Sequence, residues 1–351
     1  MSRYRVIQWA TGGAGKAAIE GVLAHPELDL VGCLVYSDDK DGQDVGTILG
    51  RGPIGVVATK DQQTALAIDA DCVIYTPLMP NADEVARILR AGKNVVTPVG
   101  WFYKTDADAD VEKAALEAGV TLHGTGINPG GITEKFPLLV SSLVSAATHV
   151  RAEEFSDIRS YNAPDVVRWI MCFGRTPEDA MASPMQDLLT HGFAQSMRMI
   201  LDGMRFPRDV EIVTQHEIAV ATSPIDSPIG PIEPGQVAGQ RFIWDAMHDG
   251  TSLVRVAVNW LMGEEHLDPA WTFGEPGQRF EVEVKGDPDT LVTFKGWHPH
   301  TIESGLVRNP GVVATAMHCV NSVPYVCEAA PGMASYLDLP LVAGRAATSR
   351  A

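Results

Sequence analysis

The residues best suited to chemistry begin at the N-terminus, in Trp9-Ala10-Thr11-Gly12-Gly13-Ala14-Gly15-Lys16. Val6, Ile7 and Trp9 read as a short buried strand, and Lys16 to Leu23 carries helical apolar spacing. The turn between them is A-x-G-x-x-G, one methyl group short of the dinucleotide fingerprint. Gly12 lets the backbone approach a pyrophosphate, and Gly15 lets the helix pack close to the strand. The helix N-terminus adds unpaired N–H groups and a partial positive charge. Thr11, Gly12, Gly13, Ala14 and Gly15 are therefore expected to hold the phosphates of a nucleotide cofactor. An ordinary strand–helix turn is the plainer alternative.

A second strand, Asp29 to Tyr36, ends about 20 residues after Gly15, where such folds choose their cofactor. An acid there takes the ribose hydroxyls of NAD, and small polar or cationic residues admit the phosphate of NADP. The chain reads Tyr36-Ser37-Asp38-Asp39-Lys40. Ser37 and Lys40 point to NADP, and Asp38 and Asp39 leave NAD open.

These residues need a parallel sheet to position them. Short strands expected at 56–58, 71–76, 94–97 and 120–123 alternate with helices at 64–70, 82–91 and 106–118. Ligands of doubly wound sheets lie beyond the strands' carboxyl ends. One cleft should then collect Thr76 and Pro77, Thr97 to Gly100, and the Gly124-Thr125-Gly126-Ile127-Asn128-Pro129-Gly130-Gly131 loop. Asn128 can donate and accept hydrogen bonds there, or simply cap a glycine-rich turn. After residue 148 the pattern changes to a strand at 150–158, a short helix at 165–171 and a longer one at 185–201. The Met and Leu stripe of the longer helix reads as core rather than a cofactor box. Alternating runs at 209–221, 240–246, 252–261, 278–284 and 290–295 imply an antiparallel or mixed sheet, and a last helix is expected at 311–323. The fold class is α/β: a Rossmann domain at 1–148, joined by 306–351, plus an α+β substrate domain at 149–305.

Trp101, Tyr103, Tyr161, Trp169 and Phe173 suggest a bulky apolar substrate pocket, with Phe102 beside them. Tyr161 is a candidate proton donor once desolvated, or else a packed aromatic. His298 and His300 flank a proline without acidic or Cys partners and read as loop histidines, so no metal is expected. Glu153-Glu154 reads as a solvated strand edge. No G-x-S-x-G elbow anchors a hydrolase triad.

Composition excludes other classes. The 351 residues, 45% hydrophobic and 20% charged, suit two globular domains. A net charge of −17 opposes nucleic-acid binding, and no apolar run suits a membrane span. Five scattered cysteines and a strand beginning by Arg5 point to a reduced cytoplasmic protein.

With these residues assembled, the chain resembles the bacterial oxidoreductases grouped with dihydrodipicolinate reductase through their N-terminal domain. It is most similar to the branch of 2,4-diaminopentanoate dehydrogenase and NAD(P)-dependent amine dehydrogenases. The resemblance rests on Val6 to Gly15, His25 to Gly32, Tyr36-Ser37 with Lys40 and Gly42, Gly126 to Gly130, and Asn321 to Pro324. It implies a Rossmann domain, a sheet-based substrate domain, a homodimer, and an active site between domains. It also implies that Ser37 and Lys40 hold the adenosine-side phosphate, that Asn128 lines the nicotinamide end with Gly100 and Gly126, and that Asn321 joins the cofactor site. Two features depart from it. The paired-histidine motif of dihydrodipicolinate reductase is missing. The acid that amine dehydrogenases carry after the strand ending at Thr97 is replaced by Val99-Gly100-Trp101. The expected activity is hydride transfer between NADP (or NAD) and a C=O or C=N carbon of a small apolar substrate, with Tyr161 and Asn128 as catalytic candidates. An amine dehydrogenase is the first alternative, and a non-catalytic nucleotide-binding sensor the second.

Overall fold

A computed structural model describes residues 3–346. The final stretch of the expected 306–351 segment, 347–351, lies outside the described residues. The chain divides into two compact units, Met1–Gly130 with Val312–Ala351, and Gly131–Gly311.

In chain order the first unit supplies β1 (Tyr4–Trp9), α1 (Gly13–Ala24), β2 (Leu28–Leu34), α2 (Val45–Ile48), β3 (Ala58–Thr59), α3 (Gln62–Ala67), β4 (Cys72–Tyr75), α4 (Ala82–Arg90), β5 (Asn94–Thr97), α5 (Ala109–Ala118) and β6 (Thr121–Gly124). The second supplies α6 (Phe136–Ser141), β7 (Ser145–Asp157), α7 (Pro177–Met181), α8 (Met185–Met204), β8 (Glu211–Ala221), β9 (Val237–His248), β10 (Thr251–Leu261), β11 (Leu267–Asp268), β12 (Arg279–Asp287), β13 (Thr290–Phe294) and α9 (Ile302–Val307). The chain then runs through α10 (Pro310–Cys327) to β14 (Gly332–Met333).

The first unit is a seven-stranded sheet in the order β14-β6-β5-β4-β1-β2-β3, with every pairing parallel. Its strands are mostly apolar and buried, as in the CVIY of β4, because helices cover both faces. Val6, Cys72, Ile74 and Val96 pack on one side with α1 and α10, and Ile7, Val73 and Val95 pack on the other with α4 and α5. Asn81 starts α4 by accepting the Glu84 N–H, and Gly119 ends α5 in the left-handed region at φ 70°.

The second unit is a seven-stranded mixed sheet, β11-β8-β9-β10-β7-β12-β13, in which only β7 and β10 run parallel. Met197 and Met199 of α8 are fully buried, and Met197 packs in the core with Phe193, Phe242 and Trp244. Three boundaries differ from the sequence expectation, the first being that residues 306–311 belong to the second unit and the return begins at Val312 rather than 306. Residues 131–148 pack with the second unit, because the π-helical turn Gly131–Lys135 and α6 lie on α8, β7 and β12. β7 begins five residues early, since Ser145 to His149 lack an apolar alternation yet pair with β12. The expected helix at 165–171 is a π-helical turn, Val166–Ile170. No described helix is long and apolar enough to cross a membrane.

Candidate active site

The glycine turn is held from beneath. Gln8 is fully buried on β1, and its Nε2 donates to the Ala10 carbonyl at 2.9 Å and to Thr76 Oγ1 at 2.8 Å. Thr76, just past β4, donates to the Trp9 carbonyl at 3.1 Å. Ala10 sits at φ 75°, in the left-handed region where the fingerprint's first glycine would be unstrained. A Cβ on Gly15 would lie 2.2 Å from the Ala10 carbonyl oxygen, so the helix rests directly on the turn. A Cβ on Gly12 would meet nothing within 4 Å. α1 begins after Gly12 with no side-chain cap and no acid in its first turn. Its leading N–H groups therefore have no side chain competing for them, which fits a bound phosphate. Gly12 and Gly13 are exposed, Ala14 and Pro77 half-buried, and Thr11 buried.

At the tip of β2, Asp38 is drawn to Lys60. Asp39 is fully exposed, and the Ser37 hydroxyl beside it holds its carboxyl below the usual range. Lys40 closes the same short turn and is half-buried. Behind the tip lies a network that sequence reasoning missed. Buried Glu84 of α4 accepts from Tyr36 Oη at 2.8 Å and Tyr75 Oη at 2.6 Å, and Trp9 Nε1 donates to Tyr36 Oη at 3.1 Å. Burial first, then the Glu84 carboxylate, keeps both phenols protonated far above neutrality. These bonds tie the carboxyl ends of β1, β2 and β4 together. Periodicity could not show this, because nothing local in the expected helix at 82–91 sets Glu84 apart.

The third strand end is built by close backbone approach. A Cβ on Gly124 would lie 2.3 Å from the Gly100 carbonyl, and one on Gly130 would lie 2.3 Å from the Gly126 carbonyl. The Thr97 hydroxyl accepts the Val99 N–H at 3.2 Å, and its carbonyl accepts the Thr125 N–H at 2.8 Å. His318 of α10 donates through Nδ1 to the Gly126 carbonyl at 2.6 Å, and Tyr336 bonds Thr125 and stacks on His318 with centroids 5.6 Å apart. These clamps lie about 200 residues from the loop in sequence, beyond any local signal. Asn128 is half-buried in that loop. Asn321 is not at the phosphate turn. Val312 of α10 faces Gly13, whereas Asn321 lies nine residues on, about 14 Å along the helix, beside Gly344. Trp101 is likewise no open pocket wall. It is buried among Val73, Tyr75 and Leu122 at φ 55°, while Tyr103 beside it is half-buried.

In the second unit, Phe173 is fully buried in the core with Phe193 and Ile232, so its ring is a packing residue. Trp169 is 60% exposed, with the Arg175 guanidinium 4.7 Å over its ring. Tyr161 is 37% exposed, and burial followed by the Glu154 charge pushes its phenol up. Two acids of this unit are engaged: Glu134 is fully buried and accepts from Ser196, and Asp157 is clamped by Arg159 at 2.6 Å. Glu153 and Glu154 are not a bare strand edge. Glu153 joins Arg151, which also pairs with Glu281 at 3.0 Å and Glu283 at 3.1 Å. Glu154 points to the opposite face of β7. There it accepts from Ser156 Oγ at 2.7 Å and Trp260 Nε1 at 2.9 Å. His298 does lie in a loop, but its ring is enclosed and bonded to Ser156 rather than solvated. Among the described residues no group of His, Cys, Asp and Glu could hold a metal.

A parallel sheet with a phosphate-ready turn, followed by a second, mixed-sheet unit, is the architecture of nicotinamide-dependent dehydrogenases. The family defined by the 2,4-diaminopentanoate dehydrogenase C-terminal domain matches residues 138–351, more than half of the chain, and the chain belongs to it. Amine dehydrogenase of Streptomyces virginiae is 27% identical, over 95% of this chain and 96% of its own length. 2,4-Diaminopentanoate dehydrogenase of Acetoanaerobium sticklandii is 24% identical, over 97% and 94%. The structure of amine dehydrogenase from Mycobacterium smegmatis shares the fold, with a TM-score of 0.74 and 21% identity over 98% of each chain. The chain is an NAD(P)-dependent oxidoreductase that moves a hydride between nicotinamide and a C=O or C=N carbon. The reading as a non-catalytic sensor is not favoured.

Proposed function

We propose that this enzyme prefers NADP and reduces a bulky apolar ketone or preformed imine. The observation that carries the reading is the uncapped start of α1 beside the open Gly12 position. Thr11 to Gly15 bind the pyrophosphate, Ser37 and Lys40 the 2′-phosphate, and the clamped loop presents Gly126 and Asn128 to the carboxamide. Thr76, Pro77, Thr97 and Gly100 complete the floor of that cleft. When bound, the cofactor supplies the hydride. The protein fixes the geometry, excludes water and provides a proton. Tyr161 suits that last task, since its phenol stays protonated through the working range. Tyr103 and Trp169 offer apolar surface to the substrate. A homodimer in the cytoplasm belongs to the same reading.

The relatives' names raise amine chemistry, and the absence of an acid at Val99-Gly100-Trp101 argues against ammonia as a partner. Releasing or capturing ammonia needs a base within hydrogen-bond reach of the nitrogen. NADPH consumption should therefore proceed with ketones or preformed imines at a rate independent of added ammonium. Robust turnover only with ammonium present would overturn this and direct attention to Glu134 or Asp157.

A further inference from the structure

Tyr36, in the first unit, stands two residues past the end of β2 and is 50% exposed, although its hydroxyl is engaged by buried partners. Tyr36 Oη donates to Glu84 at 2.8 Å and accepts from Trp9 Nε1 at 3.1 Å. The exposure therefore falls on the ring. Glu84 is itself held, by Tyr75 Oη and by Gln62 Nε2 at 2.6 Å each, and Asn81 caps the turn of α4 that carries it. The result is an aromatic ring pinned at its far end and open to solvent along its body.

Strand register puts this ring beside the glycine turn. Leu34, Trp9 and Tyr75 lie side by side across β2, β1 and β4, so the three chains leave the sheet at one level. From that level β1 runs into Ala10 to Gly13, β2 into Tyr36 and Ser37, and β4 into a loop whose Leu78 and Met79 are exposed. On such a sheet the pyrophosphate of a dinucleotide lies at the first turn and the adenosine ribose at the tip of the second strand. A base attached to a ribose held at Ser37 and Lys40 falls against the residue that precedes Ser37. A purine has two π faces and stacks on an aromatic ring whatever its edge carries. A ring already fixed by two hydrogen bonds loses little freedom on stacking, so an anchored platform binds better than a mobile one.

We propose that Tyr36 is the stacking platform for the adenine of the dinucleotide, held at its hydroxyl by Glu84 and Trp9. This rests on the reading of the glycine turn as the pyrophosphate site. Adenine is common to NADP and NAD, so the platform contributes to the affinity of both and leaves the choice between them to Ser37 and Lys40.

The test titrates the full chain with NADP, NAD and two fragments, 2′,5′-ADP for the adenosine end and nicotinamide mononucleotide for the other. Tyr36→Leu keeps apolar bulk and removes the aromatic face. It should weaken NADP, NAD and 2′,5′-ADP by about tenfold each, and leave nicotinamide mononucleotide unchanged. Tyr36→Phe keeps the face but frees it from its anchors, and should weaken the same three by only about threefold. A second measurement needs no variant: the adenine H2 and H8 resonances of 2′,5′-ADP should shift upfield on binding wild type, as protons over an aromatic face do. Unchanged affinities in folded Tyr36→Leu, weakening of NADP alone, equal weakening of nicotinamide mononucleotide, Tyr36→Phe as weak as Tyr36→Leu, or unshifted adenine resonances would each overturn the proposal. Failure of wild type to bind either NADP or NAD would overturn the cofactor reading itself and the proposal with it.

Discussion

In Gly12→Val, affinity for NADP falls at least about tenfold, equivalent to about 1.4 kcal/mol, while the protein remains folded. The two halves of this expectation have separate causes. The backbone at Gly12 is extended, at φ −70° and ψ −170°, a conformation valine adopts freely, and its Cβ would touch nothing in the protein. The added isopropyl group therefore enters the space where phosphate oxygens must approach the N–H groups of α1. Gly15 should behave in the opposite manner. Its Cβ would overlap the Ala10 carbonyl, which Gln8 and Thr76 hold rigidly, so Gly15→Ala should destabilise the fold by about 1–3 kcal/mol. Calorimetric cofactor titration and urea denaturation of both variants check the pair. Unchanged NADP affinity in folded Gly12→Val would remove the basis for placing the cofactor at this turn.

The second large effect concerns cofactor choice. Wild type should bind NADPH more tightly than NADH, and Lys40→Ala should narrow that gap by about 1.5–3 kcal/mol, the contribution of a charge-assisted hydrogen bond. NADH affinity should hardly change, because NADH has no 2′-phosphate to lose. The neighbourhood supplies arguments on both sides. Asp38 is occupied by Lys60, which removes one competitor, but Asp39 stands beside the Ser37 hydroxyl and would repel a phosphate. Dissociation constants for both cofactors in wild type and variant decide between them. A wild-type preference for NADH would mean that Asp39 faces the ribose.

The parallel sheet and the glycine turn after its first strand were legible in the chain because both are local. Buried strands of four to seven residues, helix caps such as Asn81, and glycines at fixed offsets leave their mark within a short window. The mixed sheet was also legible as alternating runs, though its edges were not. Ser145 to His149 look like loop and become strand only because β12 lies beside them. Side-chain partnerships were out of reach, since a polar residue's sequence neighbours do not say which polar group it will meet. His298 read as a loop histidine, and nothing local in the expected helix at 82–91 set Glu84 apart. Folding desolvated both and obliged each to find hydrogen bonds, one from Tyr36 and Tyr75, the other with Ser156. Aromatic residues divided for the same reason. Trp101 and Phe173 were expected to face substrate, and the tertiary structure placed them in cores. The sequence by itself determined the first strand, its glycine turn and the helix start that follows, because glycine spacing and helix starts are properties of contiguous chain. Only the tertiary structure decided which side chains stay available for chemistry, because burial and partnership depend on what the rest of the chain brings alongside.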